Sequence, residues 1–161
     1  MGVLAPQESC RPVTAADLPR VAELAREAVE QLRPGRGGEL WARQSARHEP
    51  FEDALVAELA AADHHLVVGT LDDIVMGYGV ARVQELRDGG LLGVVSDLYT
   101  DPGCREVGIG ELMMQALVDW CAELGCFGVD SVALPGDRHT KNFFESFGLV
   151  ARAIVVHRSL T

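Results

Sequence analysis

The sequence lacks paired cysteines, long hydrophobic runs and an excess of basic residues, and each absence excludes a class of protein. Its four cysteines, Cys10, Cys104, Cys121 and Cys126, form no CxxC motif and have no zinc-ligand spacing with the five histidines. We therefore expect free thiols, no metal site and a reducing, cytoplasmic location. Charged or polar residues interrupt every apolar stretch, and no signal-peptide pattern opens the chain, so neither a membrane span nor export is expected.

Charge and composition narrow the remaining classes. The formal net charge of −10 disfavours nucleic acid and anionic membranes as partners, because both bind to basic surfaces. It mildly favours a cationic partner such as an amine. With 161 residues and 48% hydrophobic content, the chain can build a real core. The linker-like run 33–38 is too short to separate two domains, so one domain over residues 1–161 is expected.

Hydrophobic periodicity predicts alternating helices and strands. The first helix begins after either Thr14 or Asp17, since both are good N-caps and Pro19 fits a first turn. In chain order we predict a strand Cys10–Val13, a helix ending at Leu32, a helical segment Glu39–Asp63 interrupted near Pro50, strands His65–Thr70, Ile74–Gln84 and Leu91–Thr100, a helix Ile109–Leu124, a strand Val129–Leu134, a helix Asp137–Phe147 and a strand Val150–Arg158. This order predicts a mixed sheet flanked by helices, in the α/β or α+β class.

A glycine-containing loop follows the strand Leu91–Thr100 and leads directly into the next helix. Its sequence is Arg105, Glu106, Val107, Gly108, Ile109, Gly110. Glycines here let successive backbone N–H groups face one anion, and the helix N-terminus adds partial positive charge, so the loop is suited to a phosphate or pyrophosphate. The alternative is a turn that needs glycine only for close strand–helix packing. A Rossmann site would require a third glycine where Met113 stands, and a P-loop would require Gly-Lys-Ser/Thr.

The loop resembles the acyl-CoA signature R/Q-x-x-G-x-G/A of the GNAT N-acetyltransferases. The run Asp97–Pro102 is similar to the strand end that precedes this signature, and the run Phe144–Leu149 resembles the family's later Tyr-Glu-Lys-x-Gly-Phe motif. The opening Arg11–Leu18 is similar to the family's first strand and helix. The resemblance implies a mostly antiparallel sheet of about six strands, splayed at the acetyl-CoA site.

The resemblance also implies a set of cofactor-binding residues. Arg105 to Gly110 would hold the pyrophosphate, and the strand end Leu98, Tyr99 and Thr100 would lie along the pantetheine arm, held by the backbone of Leu98 and Thr100. Asp137 matches the family's helix asparagine, and Phe144 matches the tyrosine that usually serves as the acid. Because phenylalanine cannot donate a proton, this match leaves the usual acid without a counterpart.

The resemblance suggests Asp97 as the general base, because related enzymes carry an acidic residue beside the acetyl-binding strand end. A lysine-type ammonium with a pKa of about 10.4 must lose a proton before attack, which costs roughly 4.6 kcal/mol at pH 7. The alternative is an aspartate that caps a loop or pairs with arginine. Tyr99 and His139 are substitute acids by residue type, with a packed aromatic ring and a solvated helix-start histidine as the plainer interpretations.

Three functions are consistent with the sequence. The leading hypothesis is an acetyl-CoA-dependent N-acetyltransferase acting on a primary amine of a small molecule or peptide, with direct attack in a ternary complex. A second is a CoA-binding sensor or regulatory module with little or no turnover. A third is an oxidoreductase or nucleotide-binding domain, which would require the loop to prefer dinucleotides. Only 13 residues, 149–161, follow the last helix, so an open sheet edge and a possible homodimer are expected.

Overall fold

A computed structural model describes residues 2–161, which form a twisted sheet covered by helices on both faces. The strands are β1 (Glu8–Pro12), β2 (His64–Leu71), β3 (Ile74–Glu85), β4 (Leu91–Thr100) and β5 (Gly128–Ser131), and the helices are α1 (Leu18–Leu32), α2 (Gly38–Gln44), α3 (Phe51–Ala60), α4 (Ile109–Glu123) and α5 (Arg138–Ser146). Within these residues, no helix is both long and apolar enough to cross a membrane.

The sheet has the order β1-β2-β3-β4-β5, and neighbouring strands are antiparallel except for β4 and β5, which are parallel. The β2–β3 hairpin turns at Asp72 and Asp73, whose φ values of 49° and 65° lie in the left-handed region that a two-residue hairpin turn requires. The mixed α/β class predicted from the sequence is therefore confirmed. The described chain forms five strands, so the expectation of about six was wrong.

Two cores lie on opposite faces of the sheet. On one face α1 and α3 bury residues such as Leu24 and Leu55 against Tyr78. On the other, α4 buries Met113, Leu117 and neighbours against the strands. Helix α4 approaches the sheet closely at Gly69 of β2, because this residue has no side chain. A Cβ there would lie only 2.1 Å from Ile109 Cγ2. This contact fixes the start of α4 close to the strands.

The start of α1 combines both predicted caps. Thr14 and Asp17 form a capping box around a short 3₁₀ turn (Ala15–Asp17), with the Thr14 N–H donating to Asp17 Oδ2 at 2.8 Å. Helix α1 then begins at Leu18, and Pro19 lies in its first turn, where the missing N–H costs nothing.

The predicted final strand Val150–Arg158 does not form. Residues 150–161 have no regular secondary structure and are exposed along their length. In this structure the segment neither pairs with the open outer edge of β5 nor packs against a core, so it forms no strand. Strand β5 also ends at Ser131, three residues before the predicted Leu134, because its pairing with β4 ends there.

Candidate active site

The end of strand β4 carries a bulge and then separates from β5. Val80 lies opposite Asp97 whereas the next residue, Ala81, lies opposite Val95, so Ser96 is the extra residue. The β4–β5 pairing ends at Val95 and Ser131, where the Ser131 hydroxyl donates to the Val95 carbonyl at 2.9 Å. Strand β4 continues to Thr100 without β5 beside it. The backbone edge of Ser96–Thr100 therefore faces an opening in the sheet.

The N-terminus of α4 lies just beyond this opening. Gly108 caps the helix in the left-handed conformation, with φ of 84°. The Leu112 N–H makes the first helical hydrogen bond, to the Gly108 carbonyl at 3.2 Å. The N–H groups of the three residues before Leu112 therefore have no acceptor in the helix ladder. Three aligned donors at the positive end of a 15-residue helix are suited to binding an anion.

Some side chains of this loop are buried and others are exposed. Ile109 is fully buried against the α4 core, whereas Glu106 and Val107 face outward. A Cβ at Gly110 would lie 3.6 Å from the Phe143 ring and 3.8 Å from Thr100 Oγ1. Gly110 therefore stands where β4, α4 and α5 meet.

Arg105 turns toward α1 rather than over its own loop. Its Nε donates to the Thr100 carbonyl at 3.1 Å, and its Nη2 donates to Gln31 Oε1 at 2.6 Å. The guanidinium also lies 5.5 Å from the centre of the Tyr99 ring, within cation–π range. In this conformation Arg105 ties the loop to β4 and α1.

Tyr99 contacts the same part of α1. Its hydroxyl accepts a hydrogen bond from Gln31 Nε2 at 2.9 Å and donates to Glu27 Oε2 at 3.4 Å. Burial and the nearby Glu27 carboxylate raise the pKa of Tyr99, although Arg105 opposes them. The phenol is therefore neutral at physiological pH, with its proton directed at Glu27.

Asp97 lies on the same face of β4, two residues before Tyr99, and is held by three side chains. Both of its carboxylate oxygens accept hydrogen bonds from the Arg47 guanidinium, one of them at 2.9 Å. The Tyr78 hydroxyl donates at 2.7 Å, and the Ser96 hydroxyl donates at 2.7 Å. Arg47 also donates to Glu58 at 2.8 Å. Only 15% of the Asp97 side chain remains exposed.

These contacts decide the charge of Asp97. Burial alone would raise its pKa, but the positive charge and hydrogen bonds of Arg47, with the hydroxyls of Tyr78 and Ser96, outweigh burial, and the pKa is lowered. Burial would lower the pKa of Arg47, yet Asp97 raises it. The pair is therefore fully ionised at neutral pH.

The three predicted residues of the α5 region have different surroundings. Asp137 caps α5, where its carboxylate accepts from the Thr140 N–H at 3.1 Å and from the Thr140 hydroxyl at 2.7 Å. Phe144 is buried in the α4 core and contacts Phe143 edge to face, with ring centres 5.9 Å apart. His139 lies exposed in the first turn of α5.

A cavity of about 470 Å³ opens between the end of α1 and the β5–α5 loop. Gln31, which holds both Tyr99 and Arg105, lines one side, and Leu134, Pro135, Gly136 and Asp137 line the other.

Comparison with known proteins decides the family. The model of the acetyltransferase (GNAT) family matches residues 22–149. The chain belongs to this family. A search of the curated proteins finds no significant match.

Solved structures of other proteins, among them two aminoglycoside acetyltransferases, share this fold. A mutant of the BH1408 protein from Bacillus halodurans aligns with a TM-score of 0.78 at 18% identity, covering 95% of this chain and 99% of that one. The aminoglycoside N-acetyltransferase AAC(6')-Iy, in complex with CoA, aligns over 100% of both chains with a TM-score of 0.75 at 14% identity. The aminoglycoside acetyltransferase meta-AAC0020 from an uncultured soil metagenomic sample, in complex with sisomicin, gives 0.70 at 23%, covering 96% and 95%.

Sequence reasoning missed several residues that shape this GNAT site. Arg47 lies in the loop between α2 and α3, 50 positions from Asp97, and nothing in its local sequence indicates the contact. Gln31 lies one residue before the predicted end of the first helix, and no sequence pattern singles it out. Phe143 directly precedes the motif residue Phe144 in α5, a helix that borders the loop 105–110. Two adjacent aromatic residues there were the sequence signal that could have pointed to Phe143.

Proposed function

We propose that residues 1–161 form one acetyltransferase domain that transfers the acetyl group of acetyl-CoA to a primary amine. The observation that carries this proposal is the position of the α4 N-terminus beside the opening between β4 and β5. An anion site and a slot for an extended chain thus lie at the same end of one strand. The CoA complex of the relative AAC(6')-Iy supports the assignment.

The residues present fit the cosubstrate. The free N–H groups at the start of α4 would hold its pyrophosphate, and the left-handed Gly108 presents them without a side chain in the way. The exposed backbone edge of Leu98, Tyr99 and Thr100 would contact the pantetheine arm, although the Thr100 carbonyl already accepts from Arg105. Phe143 and Phe144 would supply apolar surface, whereas the Asp137 carboxylate is engaged by Thr140.

Acetyl-CoA, when bound, supplies an activated acetyl group on a thiol whose pKa is about 8.5. Such a thiol leaves readily as thiolate without an acid. Transfer therefore does not require Tyr99 to donate a proton, and the Tyr99 proton is directed at Glu27. Phe144, at the family's tyrosine position, cannot donate a proton. We therefore assign Tyr99 the role of orienting Arg105 and Gln31, and a proton-donating role only if its bond to Glu27 breaks.

Asp97 is the proposed base for the amine. Its carboxylate is ionised at neutral pH and so is in the form that accepts a proton. The pairing with Arg47 weakens its basicity, so Asp97 would draw the ammonium toward the opening and pass its proton on to water. The amine nitrogen would then form its bond to the acetyl carbon as the carbon–sulfur bond breaks, and the second nitrogen proton would pass to solvent or to the departing thiolate.

The open cavity beside Gln31 is the proposed place for the acceptor amine. Two relatives of the same fold are aminoglycoside acetyltransferases, one of them in complex with sisomicin. Aminoglycosides are therefore the first acceptors to test, with polyamines and peptide amines beside them.

A second candidate function is a CoA-binding module without turnover. Two observations favour it: the Asp97 carboxylate already accepts hydrogen bonds from Arg47 and Tyr78, and position 144 is a phenylalanine. An assay of free thiol release with acetyl-CoA and each amine separates the two. Thiol release that depends on both substrates supports the enzyme, whereas CoA binding without release supports the module. A domain that binds NAD in preference to CoA would contradict both.

A further inference from the structure

Two of the four cysteines lie next to each other at the end of helix α4. The Cys126 N–H donates to the Cys121 carbonyl at 3.0 Å, and the Gly125 N–H donates to the Ala122 carbonyl at 3.0 Å. Gly125 is in the left-handed conformation, with φ of 75°. These two bonds form a Schellman motif, in which the side chains of the two outermost residues commonly contact each other. The turn that ends α4 therefore brings the side chains of Cys121 and Cys126 together.

The two thiols are neighbours in an apolar environment. Both cysteines pack in the core on the α4 face of the sheet, where Cys121 is fully buried and Cys126 is half-buried. The pKa of the Cys121 thiol is raised to about 11, chiefly by burial and further by the charge and the hydrogen bond of the Cys126 thiol. The two sulfur atoms are therefore within hydrogen-bonding reach, and Cys126 is the member of the pair that solvent can reach.

The other two cysteines lie near the opposite end of α4. Cys10 of β1 is the pairing partner of Gly69, and Gly69 packs against Ile109 at the start of the helix. Cys104 ends the short 3₁₀ turn that precedes the helix. At about 1.5 Å per residue, the helix separates Ile109 from Cys121 by roughly 18 Å. Cys10 and Cys104 are therefore internal controls for the chemistry of the pair.

The pair lies where the chain crosses from α4 to the sheet. Cys121 Sγ lies 2.5 Å from the position that a Cβ would take at Gly93, so this sulfur packs directly against the backbone of β4. Cys126 lies in the connection to β5, where the Phe127 N–H donates to the Leu91 carbonyl at 2.7 Å. A bond between the two sulfur atoms would tie the end of α4 to the connection that leads into β5.

We propose that Cys121 and Cys126 form a redox modification site, at which hydrogen peroxide converts the two thiols into an intrachain disulfide. Peroxide oxidises the more exposed Cys126 thiol to a sulfenic acid, as the O–O bond breaks and one oxygen leaves as water. The Cys121 sulfur then attacks the sulfenic sulfur, which forms the S–S bond and releases a second water. The two sulfurs lose two electrons in total, and the peroxide gains them. The pair lies at the end of α4 opposite the loop 105–110, so this inference does not depend on acetyl transfer.

Peptide mapping tests the disulfide directly. Trypsin cuts after Arg105 and Arg138 and releases residues 106–138, whose only cysteines are Cys121 and Cys126. The folded protein is treated with hydrogen peroxide, then unfolded, alkylated and digested. The peptide is expected to carry no alkyl group and to be about 2 Da lighter than its reduced form, and dithiothreitol should restore two alkylated thiols. Two alkyl groups without reduction, or a Cys126 oxidised to sulfinic acid in place of the disulfide, would overturn the proposal.

Two serine variants separate this pair from general thiol oxidation. At the same peroxide dose, Cys126→Ser should leave the Cys121 thiol free, so that it is alkylated once the protein is unfolded. Cys10→Ser is the matched control, because Cys10 is also half-buried but lies near the other end of α4, and this variant should form the disulfide as fully as the unmodified chain. A product that joins Cys121 or Cys126 to any other cysteine, in the same chain or in a second one, would contradict the assignment.

Discussion

Asp97 is surrounded by groups that favour its charged form. Arg47 supplies two hydrogen bonds and a positive charge, while Tyr78 and Ser96 each donate a hydroxyl. A carboxylate in this setting either serves the acceptor amine or anchors the loop that carries Arg47. The two roles predict different responses to substitution.

Replacing Asp97 by asparagine separates these roles. If Asp97 receives the ammonium proton, Asp97→Asn should lower kcat/KM at neutral pH by roughly 10²–10⁴, with acetyl-CoA affinity unchanged. The deficit should narrow as pH rises toward about 10, where free amine becomes available from solvent. Steady-state rates across pH give the measurement. Full activity at pH 7, or a deficit that pH does not change, would remove Asp97 from the proton path.

Gly108 tests the anion site. A side chain there suffers the left-handed strain of about 1–2 kcal/mol and also stands among the donors of the loop. Gly89, in the β3–β4 turn, has nearly the same φ of 85° with open space around it. Gly108→Val and Gly89→Val should therefore lose similar stability, but only Gly108→Val should abolish CoA binding by calorimetry. Equal CoA affinity in the two variants would place the phosphate elsewhere.

Among the helices and strands, the sequence predicted best those boundaries that are set by neighbouring residues. Strand β4 begins and ends at the predicted residues, and α4 begins at the predicted Ile109, because glycine and proline punctuate both sides. The segment after Leu149 shows the limit of such signals, since β-propensity does not determine whether a segment pairs with an edge that is open. The proposed phosphate loop could be recognised in the sequence because its donors come from consecutive backbone groups.

The α2–α3 loop is the element that sequence reasoning could not place. Arg47 bridges Asp97 and Glu58 with only 10% of its side chain exposed. Contacts between residues so far apart in the chain have no local signature, so the anchoring of this loop over the sheet becomes visible only in three dimensions. Through Arg47 the loop contacts Asp97 on β4.

Removing the Arg47 guanidinium should destabilise the protein strongly. Arg47→Met leaves Asp97 buried without its partner, which typically costs about 3–5 kcal/mol. Arg26→Met is the matched control, because Arg26 also bridges two carboxylates, Glu49 and Glu52, but at the surface, where such pairs contribute little to stability. Denaturant unfolding of both variants measures the difference. Similar losses would mean that the buried cluster does not hold the loop.

For the whole molecule, ion pairs set the response to acid. The pKa of Asp17 is lowered chiefly by its hydrogen bond from Arg11, that of Asp130 by Arg152, and that of Asp97 by Arg47 against the effect of burial. A lowered folded pKa contributes stability that is present above the unfolded value of about 3.9 and lost as pH falls through the folded value.

The melting temperature should therefore hold from neutral pH to about pH 5 and fall steeply below about pH 4. Asp17→Asn should lower the melting temperature between neutral pH and about pH 5. It should also make the decrease in melting temperature at acidic pH less steep, since one titrating group is removed. Thermal unfolding followed by circular dichroism across pH provides the test. A melting temperature that stays constant down to about pH 2 would show that these pairs contribute little to stability.

The most direct test of the central claim is turnover in the presence of both substrates. Acetyl-CoA is incubated with the protein and, separately, with an aminoglycoside, a polyamine and a lysine peptide, while free thiol is followed and the amine product is identified by mass spectrometry. The proposal predicts thiol release matched by an equal amount of acetylated amine for at least one acceptor, lost in Gly108→Val and retained in Gly89→Val. Tight CoA binding with no acetylated amine from any acceptor would contradict it and leave a CoA-binding module.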